Sequence, residues 1–205
     1  MANAKLPLHW GLGEANGEIE LVEVDTDQLH ELDVACGIGV VLYESVRDLS
    51  ACLAALPSPI TFEQATSEDV RELFSMAWQQ RNNRDQYREL MAVHQQLRGQ
   101  WDRLFADNRL TGLLRPTAPI SAVPFGDEAM TTAFGEQVAI FGTVIRNTGP
   151  GSTAGHPAMT IPAGGGCAGL PVGVSIDGRR GQDDALFALA AEVDARIGVR
   201  SPLLP

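Results

Sequence analysis

A ten-residue segment, 147–156, concentrates the side chains that could do chemistry in this 205-residue chain. It places hydroxyl, amide and imidazole groups beside glycine-rich backbone that can approach a ligand closely. We predict that six of its residues contact a substrate: Asn147, Thr148, Gly149, Ser152, Thr153 and His156. A serine and a histidine also permit nucleophilic hydrolysis. The context Gly-Ser-Thr-Ala-Gly, however, differs from the Gly-x-Ser-x-Gly nucleophile elbow, so the sequence favours binding over catalysis.

Other reactive patterns in the chain are weaker. The run Gly164-Gly165-Gly166 lacks the Gly-x-x-x-x-Gly-Lys-Ser/Thr frame of a phosphate-binding loop and does not open a helix. The pair Asp183-Asp184 is typical of a helix start, and Arg179-Arg180 is interpreted as an exposed turn. Arg146 flanks the 147–156 segment and suits either carboxylate recognition or a structural salt bridge.

Composition narrows the class of function. The net charge is −11, which disfavours nucleic acid and anionic membranes as partners. Three cysteines and four histidines are widely scattered, so no metal site, disulfide framework or cofactor is expected. Neither a secretory leader nor a membrane span is predicted, and the expected location is the cytoplasm.

The elements that must position segment 147–156 follow from periodicity. An alternating strand is predicted over 18–24, followed by three helices with apolar residues every three or four positions. Beyond Asn108 the pattern predicts a strand and an extended loop over 111–119, a helix over 131–144 and a hairpin around 164–166. A last helix begins at Asp183 and ends at Gly198.

This order of elements indicates an α/β fold, a mixed β-sheet with packed α-helices. We expect an irregular leader over residues 1–17 and a single α/β domain over 18–205. That domain is expected to be helix-rich over 26–108 and rich in sheet and loops over 109–205.

Three stretches resemble the C-terminal part of amidase-signature enzymes, which have an α/β/α fold. They are Asn147 to Gly164, then Gly169-Leu170-Pro171-Val172-Gly173 continuing to Gly178, and Leu114-Arg115-Pro116-Thr117-Ala118-Pro119. The resemblance implies hydrolysis of a small-molecule amide to a carboxylate and an amine or ammonia. It also implies that segment 147–156 lines the substrate site.

Enzymes of this family use a serine nucleophile, a second serine in a cis peptide and a lysine base. This sequence has no Gly-Gly-Ser-Ser-Gly-Gly-like stretch, and its only lysine, Lys5, lies outside the resemblance. The resemblance therefore assigns no catalytic residue to any position of this chain.

Three functions remain open from the sequence. The chain is either a C-terminal fragment or subunit that is inactive alone, a non-catalytic binding or assembly module, or an independent hydrolase that uses Ser152. The first requires a partner, because half of such a sheet exposes an edge and an apolar face. We expect a homo-oligomer or a separately encoded N-terminal catalytic half.

Overall fold

The computed structural model describes residues 9–15, 18–61, 64, 67–80, 83–126, 129–166 and 169–198. The chain divides into two compact units, one built from residues up to His30 together with those from Arg98 onward, and the other from residues 31–97. The expected α/β class, with helices and sheets combined, is confirmed.

Strands and helices have the following bounds. The strands are β1 His9–Ala15, β2 Glu18–Val24, β3 Gly112–Pro116, β4 Met130–Ala133, β5 Glu136–Ala139, β6 Ala158–Gly165 and β7 Pro171–Asp177. The helices are α1 Asp27–Ala54, α2 Glu68–Gln80, α3 Arg84–Asp107, α4 Ile140–Ile145, α5 Gly149–Ala154 and α6 Asp183–Ile197. In the described part of the chain, no helix is both long and apolar enough to cross a bilayer.

The main sheet of the first unit has the strand order β2-β1-β3-β7-β6. The sequence predicts a mixed sheet, whereas each pairing between the described strands is antiparallel. Both ends of the sheet are hairpins with short connections, a link that parallel strands do not permit. The predicted hairpin around the glycine run is confirmed as β6 and β7.

The core of the first unit lies between this sheet and α6. The helix turns Leu186, Leu189, Ala190 and Val193 toward Ile176 of β7 and its neighbours. It ends where Gly198 adopts a left-handed conformation and its N–H bonds to the carbonyl of Asp194. The predicted last helix is therefore confirmed at its start, Asp183, and at its end, Gly198.

The N-terminal region departs from the expected irregular leader. His9–Ala15 forms β1, which pairs with β2 on one side and with β3 on the other. Gly11 and Gly13 interrupt the alternation of polar and apolar residues on which a strand prediction depends. Gly11 sits where its backbone packs directly on the side chain of Leu110, so glycine is required by close approach.

The predicted helix over 131–144 is wrong for most of its length. Residues 130–139 form the β4–β5 hairpin, and only Ile140–Ile145 is helical. The connection is Phe134-Gly135, with φ of 55° and 80°. Positive φ at both central residues is the geometry of a two-residue hairpin turn, and glycine reaches it without strain. Of the apolar residues that suggested a helix, Phe134 lies in the turn, Val138 lies on β5, and Phe141 and Val144 lie on α4.

The second unit is helical, containing most of α1, all of α2 and the larger part of α3. It buries Cys36, Val46 and Leu53 of α1. The Tyr43 and Tyr87 rings stack at 4.0 Å, and the Tyr87 hydroxyl donates to the carboxylate of Glu44. The helix α1 continues without a break through Gly37 and Gly39.

Gly112 gives a test of how closely α6 packs on the sheet. A Cβ at Gly112 would lie 2.5 Å from Leu189 Cδ2 and 3.1 Å from Ile176 Cγ2. We expect Gly112→Ala to lower the free energy of unfolding by about 1–3 kcal/mol through overpacking.

The measurement is urea denaturation, with Gly142→Ala as the control. Gly142 lies in α4 with nothing within 4 Å of an added Cβ. Alanine there is expected to leave stability unchanged or to raise it by up to about 1 kcal/mol. Equal losses of unfolding free energy in the two variants would contradict the close packing of α6 on Gly112.

Candidate substrate-site wall

Segment 147–156 contains the short helix α5, Gly149–Ala154. Pro150 lies in its first turn, where a missing N–H costs nothing, and Gly155 ends it with a φ of 77°. Proline near the start and glycine at the end are typical of a helix, although the glycine-rich composition by itself does not indicate one. The segment is therefore a defined turn of helix that fixes the direction of each side chain.

The helix α5 lies against a buried ion pair. Arg115 of β3 and Asp177 of β7 are 2% and 1% exposed, and Arg115 Nη2 lies 2.5 Å from Asp177 Oδ2. Gly151 packs on this pair so closely that a Cβ would overlap Asp177 Oδ1 and lie 3.2 Å from Arg115 Nη2. The Trp101 indole N–H donates to the Pro150 carbonyl at 3.2 Å. Thus the ion pair and Trp101 determine where α5 sits.

Burial dominates the electrostatics of the pair. Desolvation raises the pKa of Asp177 to about 6, although the nearby Arg115 guanidinium acts in the opposite direction. Arg115 also lies 5.7 Å from the centre of the Trp101 ring, a cation–π distance. An arginine that cannot lose its proton is thus stabilised by a carboxylate and an aromatic face.

His156, at the end of the segment, is buried between aromatic rings. Its ring lies 4.6 Å from that of Trp101 and 5.8 Å from that of Phe105. Nδ1 is 2.8 Å from the carbonyl oxygen of Gly178. Because a carbonyl only accepts hydrogen bonds, Nδ1 carries the proton. Burial lowers the pKa of His156, so the ring is held neutral.

The other nitrogen of His156, Nε2, is buried and has no hydrogen-bond partner among the described residues. Ser152 is exposed on α5. The imidazole is therefore not hydrogen-bonded to the Ser152 hydroxyl through either nitrogen. This arrangement lacks the nucleophile-to-base contact by which a serine is activated.

The remaining predicted contacts divide into anchored and accessible groups. Asn147 is buried and its side-chain amide donates to the Pro116 carbonyl at 2.7 Å. The Thr148 hydroxyl donates to the Ile145 carbonyl at 3.3 Å. Gly149 and Thr153 are half-buried and Ser152 is exposed. The six residues lie on α5 or directly beside it, and Asn147 and His156 are turned inward.

A shallow cleft adjoins Asn147. It is lined by residues from the start of α1, from β3 and from the turn before α5: Thr26, Asp27, Leu29, His30, Arg115, Arg146, Asn147 and Pro150. Its enclosed space is about 10 Å³, room for about one water molecule. Arg146 Nη2 lies 4.0 Å from Asp27 Oδ1, an ion pair that is open to solvent on the Asp27 side. This cleft alone is too small to enclose an amide.

Comparison with known proteins identifies the fold family. The family model described as Amidase matches residues 14–187. The chain belongs to the amidase family. It is 29% identical over 193 residues to the indoleacetamide hydrolase of Agrobacterium vitis, which covers 91% of this chain and 41% of that protein. It is 27% identical over 196 residues to the mandelamide hydrolase of Pseudomonas putida, covering 88% of this chain and 38% of that protein.

Solved structures agree on the fold of this amidase-family chain. A crystal structure of an amidase gives a TM-score of 0.65 at 24% identity, covering 82% of this chain and 35% of the other. A 6-aminohexanoate cyclic dimer hydrolase gives 0.61 at 20% identity, covering 90% and 39%. The chain spans about two fifths of the length of the curated relatives it matches.

Some residues that hold this part of the fold in place have no local pattern in the sequence. A charged residue within an apolar strand, as at Arg115 and Asp177, is a signal for a buried pair, but nothing in the sequence pairs the two. Arg179, interpreted as part of an exposed turn, is half-buried and donates to the carbonyls of Phe105 and Leu110. Within the described ranges, no three His, Cys, Asp or Glu side chains cluster as metal ligands would.

Substituting Asp177 should cost more stability than substituting Arg115, because only the carboxyl can become neutral when its partner is removed. Asp177→Leu leaves a buried guanidinium that cannot lose its charge, and about 3–5 kcal/mol of stability should be lost. Arg115→Met leaves a carboxyl that can take up a proton, so its cost should be smaller and should grow as pH rises through about 6. The double variant should be more stable than Asp177→Leu alone.

Denaturant unfolding of the three variants at several pH values measures these costs. The coupling free energy from the double-mutant cycle gives the strength of the pair. Equal, pH-independent losses for the two single variants would show that the pair does not have this electrostatic character.

The buried His156 should make the free energy of unfolding depend on pH with a sign opposite to that of Asp177. Its pKa is lowered in the folded state, so below 6.5 the unfolded chain binds the proton first and stability falls with falling pH. Asp177, raised from 3.8 to about 6, loses stability as pH rises through that window. We expect His156→Phe to be less stable than wild type near pH 8 by about 1–3 kcal/mol, the cost of leaving the Gly178 carbonyl unpaired.

This difference in stability between wild type and His156→Phe should shrink as pH falls from about 7 to about 5. In that range the unfolded wild type takes up a proton at His156 that the folded state excludes, which lowers the stability of the wild type alone. Unfolding free energies from urea titrations at each pH give the difference, in which the Asp177 contribution cancels. A gap that stays constant with pH would contradict a neutral, buried His156.

Proposed function

We propose that this chain is the C-terminal portion of an amidase, supplies one wall of the substrate site and does not hydrolyse amides by itself. The observation that supports it most directly is the position of the only lysine. Lys5 lies outside residues 14–187, the region matched by the family model. A serine–serine–lysine mechanism, which the resemblance implies for the whole enzyme, requires a lysine base that the matched region does not contain.

The wall is the outer side of segment 147–156. Ser152 is exposed and Thr148, Gly149 and Thr153 are half-buried, so their polar groups are the ones within reach of an amide. Asn147 and His156 hold the segment to Pro116 and Gly178 from the inside. Their role in the proposal is to position the accessible residues. A wall on a rigid element needs little reorganisation when a substrate binds.

The substrate class is a small primary amide with an aromatic group. The names of two relatives, indoleacetamide hydrolase and mandelamide hydrolase, describe such amides. Phe141 and Val144 are exposed at i and i+3 on α4, directly before the 147–156 segment. An exposed apolar pair at this place suits contact with an aromatic ring. The products would be a carboxylate and ammonia.

Two other functions remain as alternatives. A non-catalytic binding module would keep the wall and bind amides or carboxylates without turnover. An independent hydrolase would need Ser152 to be activated, and the outward Ser152 and the hydrogen bond from His156 to Gly178 argue against that. We also propose a reducing cytoplasmic location, with which the free thiols of Cys36 and Cys52 are consistent.

The test is an amide-hydrolysis assay of the purified chain, with indole-3-acetamide, mandelamide and alkyl primary amides as substrates and ammonia release as the readout. We expect no turnover above the Ser152→Ala variant, because neither nitrogen of the buried His156 is hydrogen-bonded to the Ser152 hydroxyl. Turnover by the wild type that disappears in folded Ser152→Ala would overturn the proposal in favour of an independent hydrolase.

A further inference from the structure

The buried side chain of His156 belongs to the residue that closes the last turn of α5. Its backbone N–H donates to the Gly151 carbonyl at 2.9 Å, and its ring stacks on that of Trp101. The helix has six residues, too few for a helix to be stable on its own hydrogen bonds. Moving the His156 ring out of its place would therefore also open the end of α5.

Two further contacts hold α5 on α3. Arg98 Nε donates to the Ala154 carbonyl at 3.0 Å, and the Trp101 indole N–H donates to the Pro150 carbonyl at 3.2 Å. Trp101 both bonds to α5 and stacks on His156, so a change at the ring of His156 reaches the start of the helix as well as its end. Of these attachments to α3, the one made by His156 can gain a charge.

A proton added to His156 has to go to Nε2. Nδ1 already carries the proton that it donates to the Gly178 carbonyl at 2.8 Å. Nε2 is buried and has no hydrogen-bond partner among the described residues. Protonation there would create a buried N–H donor without an acceptor and a positive charge shielded from water, and both are unfavourable.

The two rings that enclose His156 already lie near positive charges. The Arg115 guanidinium is 5.7 Å from the centre of the Trp101 ring, and that of Arg179 is 5.6 Å from the centre of the Phe105 ring. An imidazolium between the same rings would be a third cation at close range, and like charges repel strongly where water is excluded. The pocket therefore suits a neutral imidazole and not an imidazolium.

Charged side chains at the surface beside the pocket act in both directions. Burial is the main cause that lowers the pKa of His156 below its ordinary value of 6.5. The Asp102 carboxylate acts to raise this pKa, whereas Arg180 and Arg98 act to lower it. Asp102 and Arg180 form a partly exposed ion pair at 3.2 Å. The proton affinity of His156 can thus be changed at this pair without altering α5.

We propose that His156 is a pH-sensitive switch for α5: the neutral ring keeps the helix packed on Trp101, and uptake of a proton at Nε2 opens the segment. Once the segment is open, the ring reaches water and binds the proton more tightly, so a fall in pH favours the open form. The apolar core between the sheet and α6 does not include α5. The opening is therefore local and needs less free energy than global unfolding.

The consequence for activity rests on the proposed function, in which α5 carries the accessible groups of the substrate-site wall. Ser152 and Thr153 lie on this helix. With the segment open, these groups lose their fixed directions and an amide would meet a disordered wall. The switch would thus make the binding of substrate weaker in acid.

Hydrogen exchange of the full chain between about pH 8 and about pH 4 measures the opening. The reporters are the backbone N–H groups of Ser152, Gly155 and His156, each of which is bonded within the segment. After correction for the intrinsic exchange rate, we expect their protection to fall by at least about threefold in acid. The amides of α6 should keep theirs.

His156→Phe is the first control, because phenylalanine keeps a ring between Trp101 and Phe105 but cannot take up the proton. Its α5 protection should not change with pH. Asp177 lies against Gly151 and has a pKa raised to about 6, so it titrates in the same range. An equal loss of protection in folded His156→Phe would assign the opening to Asp177 and overturn the proposal.

Asp102→Asn and Arg180→Gln are a matched pair that tests the charge of His156 directly. Their readout is the ratio of α5 protection at neutral pH to that in acid. Asp102→Asn makes the pocket less favourable for an imidazolium and should raise this ratio by roughly two- to fivefold, whereas Arg180→Gln should lower it by a similar factor. Both side chains are partly exposed, so both variants should fold. No change, or changes in the same direction, would overturn the switch.

The exchange measurement is independent of amide hydrolysis. Protection of α5 that stays constant with pH in the wild type overturns the switch and leaves the proposed function standing. Ammonia release by the chain alone contradicts the proposed function, whereas opposite shifts in Asp102→Asn and Arg180→Gln still support the switch.

Discussion

The buried ion pair between Arg115 and Asp177 is the constraint on which the position of α5 depends. The pair joins β3 to β7, and Gly151 of α5 can approach it only because glycine has no side chain. Two opposite charges in a dry interior restrict their neighbours more than apolar contacts do, because any displacement leaves a charge unpaired. Burial moves the pKa of Asp177 to about 6, so this restraint depends on pH.

Residues around the pair extend the same restraint along the segment. Trp101 contributes on three sides: its ring lies near Arg115, its N–H bonds to Pro150 and its face stacks on His156. His156 in turn bonds to Gly178, one residue beyond Asp177. The His156 ring, which the sequence predicts to contact a substrate, is therefore held inside the fold by Trp101 and Gly178. The accessible polar groups of the segment are those of Ser152 and, in part, of Thr148 and Thr153.

The sequence could predict the elements whose pattern is local. The last helix and the β6–β7 hairpin followed from periodicity, because a stripe or an alternation survives in the sequence whatever packs on it. The helix prediction for residues 130–139 failed because the turn at Phe134-Gly135 depends on a positive φ at a phenylalanine, which its residue type does not indicate. The Arg115–Asp177 contact spans more than sixty positions and has no local pattern. Only the pairing of β3 with β7 in the folded sheet brings the two side chains together.

The surroundings of Ser152 are the reason for proposing that this chain does not hydrolyse amides by itself. An amide is a poor electrophile, and a serine hydroxyl attacks it only when a base takes up the hydroxyl proton. Ser152 is exposed on α5, whereas the His156 ring is buried and its Nδ1 is bonded to the Gly178 carbonyl. The packing that holds α5 in place is therefore the same packing that keeps the nearest imidazole away from the Ser152 hydroxyl.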